Sequence, residues 1–183
     1  MKYLANNYYH IYNRGLNHQA IFQTRRHYIF FLKKTKQYSQ QYNITLIAWC
    51  LMPNHYHFLI RNEENGNPTR FLQALCNSYV QAYNKEISRK GQLFERGGKA
   101  KLVDSDEYIM LVTRYIHLNP VKANLAQSPE DWEFSNYQEW VGTRNGTMFD
   151  KNFSRDYFSP EEYRDYILQE INEKQEARLK RYV

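Results

Sequence analysis

Apolar positions recur every second residue in some stretches of the chain and every third or fourth in others, and the switches mark element boundaries. Tyr8–Arg14 (YYHIYNR) is rich in β-formers and stops at Gly15, which predicts a first strand. Thr24 is placed to cap a helix running to about Tyr42. Tyr28, Phe31, Leu32, Thr35 and Tyr38 recur at helical spacing there, with lysines on the other face. Ile44–Cys50 (ITLIAWC) reads as a strand and Leu51–Asn54 as a turn. His55–Arg61 (HYHFLIR) then returns as the second arm of an antiparallel hairpin. Asn67-Pro68 supplies an N-cap followed by proline at the first helical position. The helix behind it carries Leu72, Leu75, Cys76, Tyr79, Val80 and Tyr83 on one stripe and is expected to end near Arg89 or Lys90, before Gly91. Leu93–Val103 holds two short strand-like runs around Gly97-Gly98. Asp104 and Glu107 have capping-box spacing and open a helix from Ser105 to about Leu118, which Asn119-Pro120 is expected to stop.

The predicted order is β-α-β-β-α-β-α. It corresponds to an α+β class: a ferredoxin-like β-α-β-β-α-β core with an antiparallel sheet, plus a C-terminal helical extension. The expected division is residues 1–125 for the core domain and 126–183 for the extension. Past Pro120 the pattern weakens. Trp132–Val141 predicts a short helix and Arg144–Phe158 a loop. Pro160–Arg181 predicts a charged helix with a thin apolar stripe through Tyr163, Ile167 and Ile171, suited to the surface or to a partner. There is no internal repeat and no low-complexity tract.

With 183 residues the chain is long enough to bury a core. No apolar run approaches the roughly 20 residues of a membrane-spanning helix, and the first residues lack the apolar stretch of a signal peptide. Cys50 and Cys76 have no metal-ligand spacing and form no disulfide framework. The expected location is the cytoplasm, with reduced thiols. Two features of composition go further. The net charge is +6, and there are 17 Tyr, 10 Phe and 3 Trp. Basic charge suits a polyanion, and aromatic rings stack on unpaired bases. Abundant tyrosines also line half-wet cores, so composition alone leaves nucleic-acid binding evenly balanced against an ordinary basic surface.

His55 and His57 sharpen the picture. One residue apart on a strand, their imidazoles share a face, while Tyr56, Phe58 and Ile60 face the opposite way. Two neutral imidazoles side by side can bind one divalent metal. An isolated His-x-His is more often two histidines on a solvated strand face, and context decides. Here the string Ala48-Trp49-Cys50-Leu51-Met52-Pro53-Asn54-His55-Tyr56-His57-Phe58-Leu59-Ile60 resembles the signature of the single-tyrosine HUH transposases, in which a bulky hydrophobic residue separates two histidines. A second segment, Arg114-Tyr115-Ile116-His117-Leu118-Asn119-Pro120-Val121-Lys122-Ala123, resembles the same family, especially the transposases associated with repetitive extragenic palindromes (REP). Read without that likeness, Tyr108, Leu111, Val112, Tyr115 and Leu118 form an apolar stripe in which a tyrosine is usually core. The resemblance covers roughly Tyr8–Asn124. It includes Tyr9–Gly15 (YHIYNRG) and the basic stretch Gln92–Lys101, and Trp132–Tyr137 (WEFSNY) resembles a Trp-x-x-Ser-Ser-Tyr segment, with Asn136 in place of the second serine.

The resemblance implies a metal-dependent single-stranded DNA endonuclease and strand transferase acting near hairpins or palindromes. It assigns Tyr115 as nucleophile and His55, His57 and Asn119 as ligands of Mg²⁺ or Mn²⁺. Asn119 lies four residues after Tyr115, on the same helix face. Attack by Tyr115 on a phosphodiester would give a 5′-phosphotyrosine and a free 3′-OH, which another 3′-OH can reverse, so strands are rejoined without an energy source. Arg14, Arg96, Lys99, Lys101 and Lys122 are the expected DNA contacts, with Arg25, Arg26, Lys33 and Lys34 as weaker candidates. His10, on the first strand, either approaches the site or, the favoured reading, stacks in the sheet; His117 is expected to point away from the site, and His18 and His27 to lie on the surface. The partner is single-stranded DNA with hairpin structure, and the protein a monomer or homodimer. The alternative is a non-catalytic, domesticated nucleic-acid-binding module on the same fold, against which the complete residue set argues. Replication and mobilisation nucleases share the histidine pair but generally place the tyrosine before it; here it follows.

Overall fold

The protein, seen in a computed structural model, is described over residues 2–148 and 150–179, with side chains as far as position 169. Four strands, β1 (Asn7–Arg14), β2 (Ile44–Met52), β3 (His55–Asn62) and β4 (Lys99–Val103), form one sheet in the order β2-β3-β1-β4. Every neighbouring pair is antiparallel. Helices α1 (Arg25–Gln41) and α2 (Pro68–Glu86) join the strands as the ferredoxin-like plan requires, and α3 (Asp106–Lys122) follows β4.

Strand alternation divides the interior in two. Tyr9, Ile11, Tyr56, Phe58 and Ile60 face α1 and α2 and meet Phe31, Phe71, Leu75 and Tyr79 in one core. Cys50, Met52, Leu59 and Val103 face the other way and meet Ile109, Val112, Ile116 and Leu118 of α3 in a second. Each fully buried large side chain contributes roughly 1.5–3 kcal/mol, so both faces of the sheet are committed. The second face is not apolar throughout. Towards the β3 N-terminus, His55, His57, His10 and Tyr12 replace the aliphatic residues, and there α3 spans a polar hollow instead of a packed layer.

Several boundaries differ from the sequence expectation. Helix α3 does not stop at Asn119-Pro120; it runs through Pro120 to Lys122. Proline here removes one ladder donor close to the C-terminus, where the Ala123 and Leu125 amides still bond to Asn119 and Pro120. The cap is Ser105, whose side chain accepts from the Tyr108 amide at 3.2 Å, and not Asp104. Asp106 and Glu107 in the first turn complement the helix dipole. Helix α2 ends at Glu86, short of Arg89. Of the two expected strand runs only Lys99–Val103 forms; Phe94 makes a single bridge to Gly15. Where a loop was expected, Lys151–Tyr157 forms α5, capped by Asp150 accepting from the Phe153 amide.

The segment after the core closes the outer edge of β2. Ser135 bridges Cys50, the Leu51 amide donates to the Phe134 carbonyl, and the Trp132 indole donates to the Leu51 carbonyl. An uncovered edge strand is a template for aggregation, and this cover removes it. Asn136 is the centre of the arrangement. Its Oδ1 accepts from the Trp49 amide at 2.6 Å and its Nδ2 donates to the Ile47 carbonyl at 3.0 Å. Ile47 sits at the register shift of β2, so its carbonyl has no ladder partner and is taken instead by Asn136 and the Trp140 indole. The helix expected over Trp132–Val141 is reduced to α4 (Tyr137–Trp140) because the preceding residues are spent on this edge. Asn136→Ala orphans several buried partners at about 1–3 kcal/mol each. A thermal melt of the variant is therefore expected to fall by roughly 6–12 °C, and an unchanged midpoint would refute this account of the edge.

The last helix, α6 (Pro160–Leu179), does not lie on the surface as expected: Tyr163 and Ile167 are fully buried in the second core. The Ile171 side chain, the third member of the expected stripe, lies outside the described residues. Among the described residues, no helix is long and apolar enough to cross a membrane.

Candidate active site

The hollow under α3 gathers residues from three elements. Strand β3 delivers His55 and His57 to one face with ring centroids 5.0 Å apart and planes perpendicular. Helix α3 lays Tyr115 edge-on against His57, centroids 5.5 Å apart. Of the expected stripe Tyr108, Leu111, Val112, Tyr115 and Leu118, Val112 and Leu118 are buried, whereas Leu111 and Tyr115 are each 41 % exposed. The buried face runs through Ile109, Val112, Ile116 and Leu118, which leaves Tyr115 on the partly exposed flank of α3 beside the histidines. Asn119, one turn on, donates from Nδ2 to the Tyr115 carbonyl at 2.7 Å, and its side chain is close enough to the His55 imidazole to influence it.

His10 belongs to the same cluster: of its two expected placements the structure shows the less favoured one, approach to the site. Its Nε2 lies 3.0 Å from His57 Nδ1, the two rings are stacked, and its ring also meets Tyr115. The pairing of β1 with β3 sets Tyr12 opposite His57 and His10 two residues further along, a diagonal contact on one face. Sequence shows that His10 and His57 are both on strands; it does not show the register that joins them.

Burial makes these imidazoles neutral. His57 is pushed down to about 2 by desolvation, then by His10 and His55. Desolvation, then Lys101, pushes His10 down to about 4. His55 is lowered by burial and by the Arg14 guanidinium, with the Asn119 side chain acting in the opposite direction. A neutral imidazole offers a lone pair without first losing a proton, as metal ligation requires. The His55 Nδ1–H donates to Asn54 Oδ1 at 2.6 Å; an amide oxygen only accepts, so His55 Nε2 carries the free lone pair. Among the described residues no three His, Cys, Asp or Glu side chains form a metal-binding group, so a metal here would draw on two imidazoles and the Asn119 amide oxygen. That mixed nitrogen–oxygen set, completed by water or phosphate oxygen, fits a small divalent cation.

Basic side chains ring the hollow. Arg14 stands opposite His55 in the β1–β3 ladder and pairs with Glu95 at 2.7 Å. Lys99 and Lys101 pair with Tyr12 and His10 in the β1–β4 ladder and so share the face of the histidines. Their ammonium groups sit 5.8 Å and 5.2 Å from the rings of Tyr12 and Tyr108, and Lys122 sits 5.1 Å from the ring of Tyr115. Arg96 is exposed in the turn before β4, and no described contact ties it to the hollow. Arg25, Arg26, Lys33 and Lys34 lie on α1, across the sheet; Arg25 pairs with Glu133, and Lys34 with Gln37. His18 is exposed, but His27 is buried rather than on the surface, its Nε2 3.6 Å from Glu86.

His117 points away from the hollow. Its Nδ1 accepts from the Tyr163 hydroxyl at 2.7 Å and its Nε2–H donates to Asn136 Oδ1 at 2.9 Å. Helix α3, which carries Tyr115, is thus tied to both α6 and the β2 edge. Desolvation pushes His117 down to about 4, opposed by the Asn136 bond, against about 6.5 in an unfolded chain. Between those values the unfolded state binds a proton that the folded state refuses. The contribution of His117 is complete above about pH 6.5 and falls as pH drops towards 4. Replacing His117 by Gln is expected to reduce the pH slope of stability in that window by up to one proton, about 1.4 kcal/mol per pH unit. Melts across pH 4.5–7 read this directly; an unchanged slope means that folded His117 is already charged.

A ferredoxin-like sheet with a histidine pair and a tyrosine helix laid across one face is the architecture of a DNA-processing enzyme family. Residues 3–119 match the family model described as "Transposase IS200 like", and the chain belongs to that family. Among individual proteins it is similar to REP-associated tyrosine transposases. One, from Haemophilus influenzae, carries that family name and is 25 % identical over 123 residues, covering 61 % of this chain and 69 % of its own. A solved REP-associated tyrosine transposase bound to a REP hairpin superposes with a TM-score of 0.69 at 13 % identity, over 82 % of this chain and 95 % of its own; that likeness is one of fold.

Proposed function

We propose that this transposase cleaves and rejoins single-stranded DNA beside a hairpin, with Tyr115 as the attacking group and a divalent metal held by His55, His57 and Asn119. The observation that carries the reading is convergence: an accessible tyrosine edge-on to a buried neutral histidine, with a second histidine and an amide one turn away. When bound, Mg²⁺ or Mn²⁺ supplies Lewis-acid polarisation of the scissile phosphate. The protein's own groups do the rest. Tyr115 forms the new P–O bond as the 3′-oxygen leaves, giving a 5′-phosphotyrosine and a free 3′-OH. Arg14, Lys99, Lys101 and Lys122 neutralise the incoming backbone, and Tyr12 and Tyr108 offer ring faces to unpaired bases. Arg96 belongs to this set only if the strand extends past the β4 turn.

Hairpin DNA as the partner is supported by the bound state of the structural neighbour and by the basic rim around the hollow. A monomer acting in cis is supported by Tyr115 lying against His57 of its own chain. The test is a covalent-adduct assay with purified protein, labelled single-stranded hairpin oligonucleotides and Mn²⁺, with and without chelator. The expected result is an adduct that chelation reduces by at least about 10²-fold. Tight hairpin binding without any adduct, across the palindromes flanking the gene, would instead establish a non-catalytic binding module.

A further inference from the structure

We propose that His10 is a positioning residue: its Nε2 accepts a hydrogen bond from His57 Nδ1–H and so keeps the His57 proton off the nitrogen that faces the metal. This rests on the reading of His57 as a metal ligand.

The two facing nitrogens are 3.0 Å apart, so one bears a proton and the other a lone pair. The arrangement has two forms with the same number of protons. In one, His10 donates; His57 Nδ1 then accepts, and a neutral His57 must carry its proton on Nε2, where no cation can bind. In the other, His57 Nδ1 donates; Nε2 is bare, and His10 carries its own proton on Nδ1. Only the second form is compatible with ligation. In water histidine favours the Nε2–H tautomer, so a ligand that binds through Nε2 needs an acceptor at Nδ1 to overturn that preference.

The surroundings leave His10 as the group able to do this. His10 is 8 % exposed and His57 5 %, so bulk water does not compete for the bond. The two histidine rings are stacked, Tyr12 packs against both, and Tyr115 stands edge-on to both. His55 has an equivalent acceptor in Asn54 Oδ1, supplied by its chain neighbour across the β2–β3 turn. The acceptor for His57 comes from a different strand, by way of the β1–β3 register. The two ligands are thus oriented by independent means, one local and one across the sheet.

Two measurements test the proposal, and one needs no metal. Nitrogen-15 NMR of the metal-free protein is expected to show His57 protonated on Nδ1 and bare on Nε2, with His10 protonated on Nδ1. The reverse assignment for His57 overturns the proposal. The second is Mn²⁺ titration followed by electron paramagnetic resonance on wild type, His10→Phe and His10→Gln. Phenylalanine keeps the ring packing and removes the acceptor, and is expected to weaken Mn²⁺ binding by about 10–100-fold. Glutamine returns an acceptor oxygen and is expected to recover at least half of that loss on a logarithmic scale. Wild-type affinity in His10→Phe sinks the proposal while leaving the metal centre standing. Wild-type protein that takes up no Mn²⁺ sinks the metal centre, and the proposal with it. Should His10→Phe fail to fold, the wild-type tautomer and the glutamine variant still decide the matter.

Discussion

Tyr115→Phe is expected to abolish the covalent protein–DNA adduct, at least about a 10³-fold loss of cleavage, while leaving hairpin affinity within about twofold. The substitution removes one oxygen. The ring remains, and with it the edge contacts to His10 and His57 and the seat under the Lys122 ammonium. Tyr115 is 41 % exposed and lies outside the buried core, so stability is expected to hold within about 0.5 kcal/mol. Denaturing gels with labelled hairpin oligonucleotides read the adduct, and native gels read the binding. A persistent adduct in the variant assigns the attack to another group. The hollow has a second tyrosine, Tyr12, against His57, so Tyr12→Phe is the control.

His55→Ala is expected to reduce cleavage by a similar factor, with no recovery when Mn²⁺ is raised into the millimolar range. On the proposed assignment it removes one of two imidazole ligands and leaves a nitrogen-poor set of His57 and an amide. His55 lies at the start of β3, where the Asn54 bond is its described side-chain hydrogen bond in the turn. The expected stability cost is accordingly modest, about 1 kcal/mol, and a melt separates it from the loss of activity. Hairpin affinity without metal should stay near wild type, because the basic rim is untouched. Normal cleavage by His55→Ala would refute the ligand assignment even with Tyr115 confirmed.

How far the site could be read from sequence differs from residue to residue. His55 and His57 were legible because a strand's period of two is local: whatever the sheet does, their side chains share a face. Asn119 was legible relative to Tyr115 because helix spacing is equally local, although the helix was expected to end at the asparagine and instead continues to Lys122. Tyr115 was legible only through the family likeness. Its own helix pattern pointed to a core position, and the pattern misled because α3 covers a polar hollow on one flank and an apolar layer on the other. For His10 the sequence left approach to the site as the less favoured of two readings, because its contact with His57 depends on a strand pairing between residues 47 positions apart. Asn136 showed in sequence only as a departure from a Ser-Ser pattern; its reason lies in the unpaired Ile47 carbonyl of β2.

The alternation and capping signals written into the chain were enough for the element order, the antiparallel α+β plan and the common face of the histidines, since each follows from backbone geometry within a few residues. Tertiary structure alone decided which face of α3 is buried and that α6 packs its Tyr163 and Ile167 into the second core instead of lying on the surface. It also decided that His10 meets His57, and that Lys99 and Lys101 line the hollow while Arg25 and Lys34 lie across the sheet. These depend on strand order and register, which are set by the simultaneous burial of two faces of one sheet and not by any single segment.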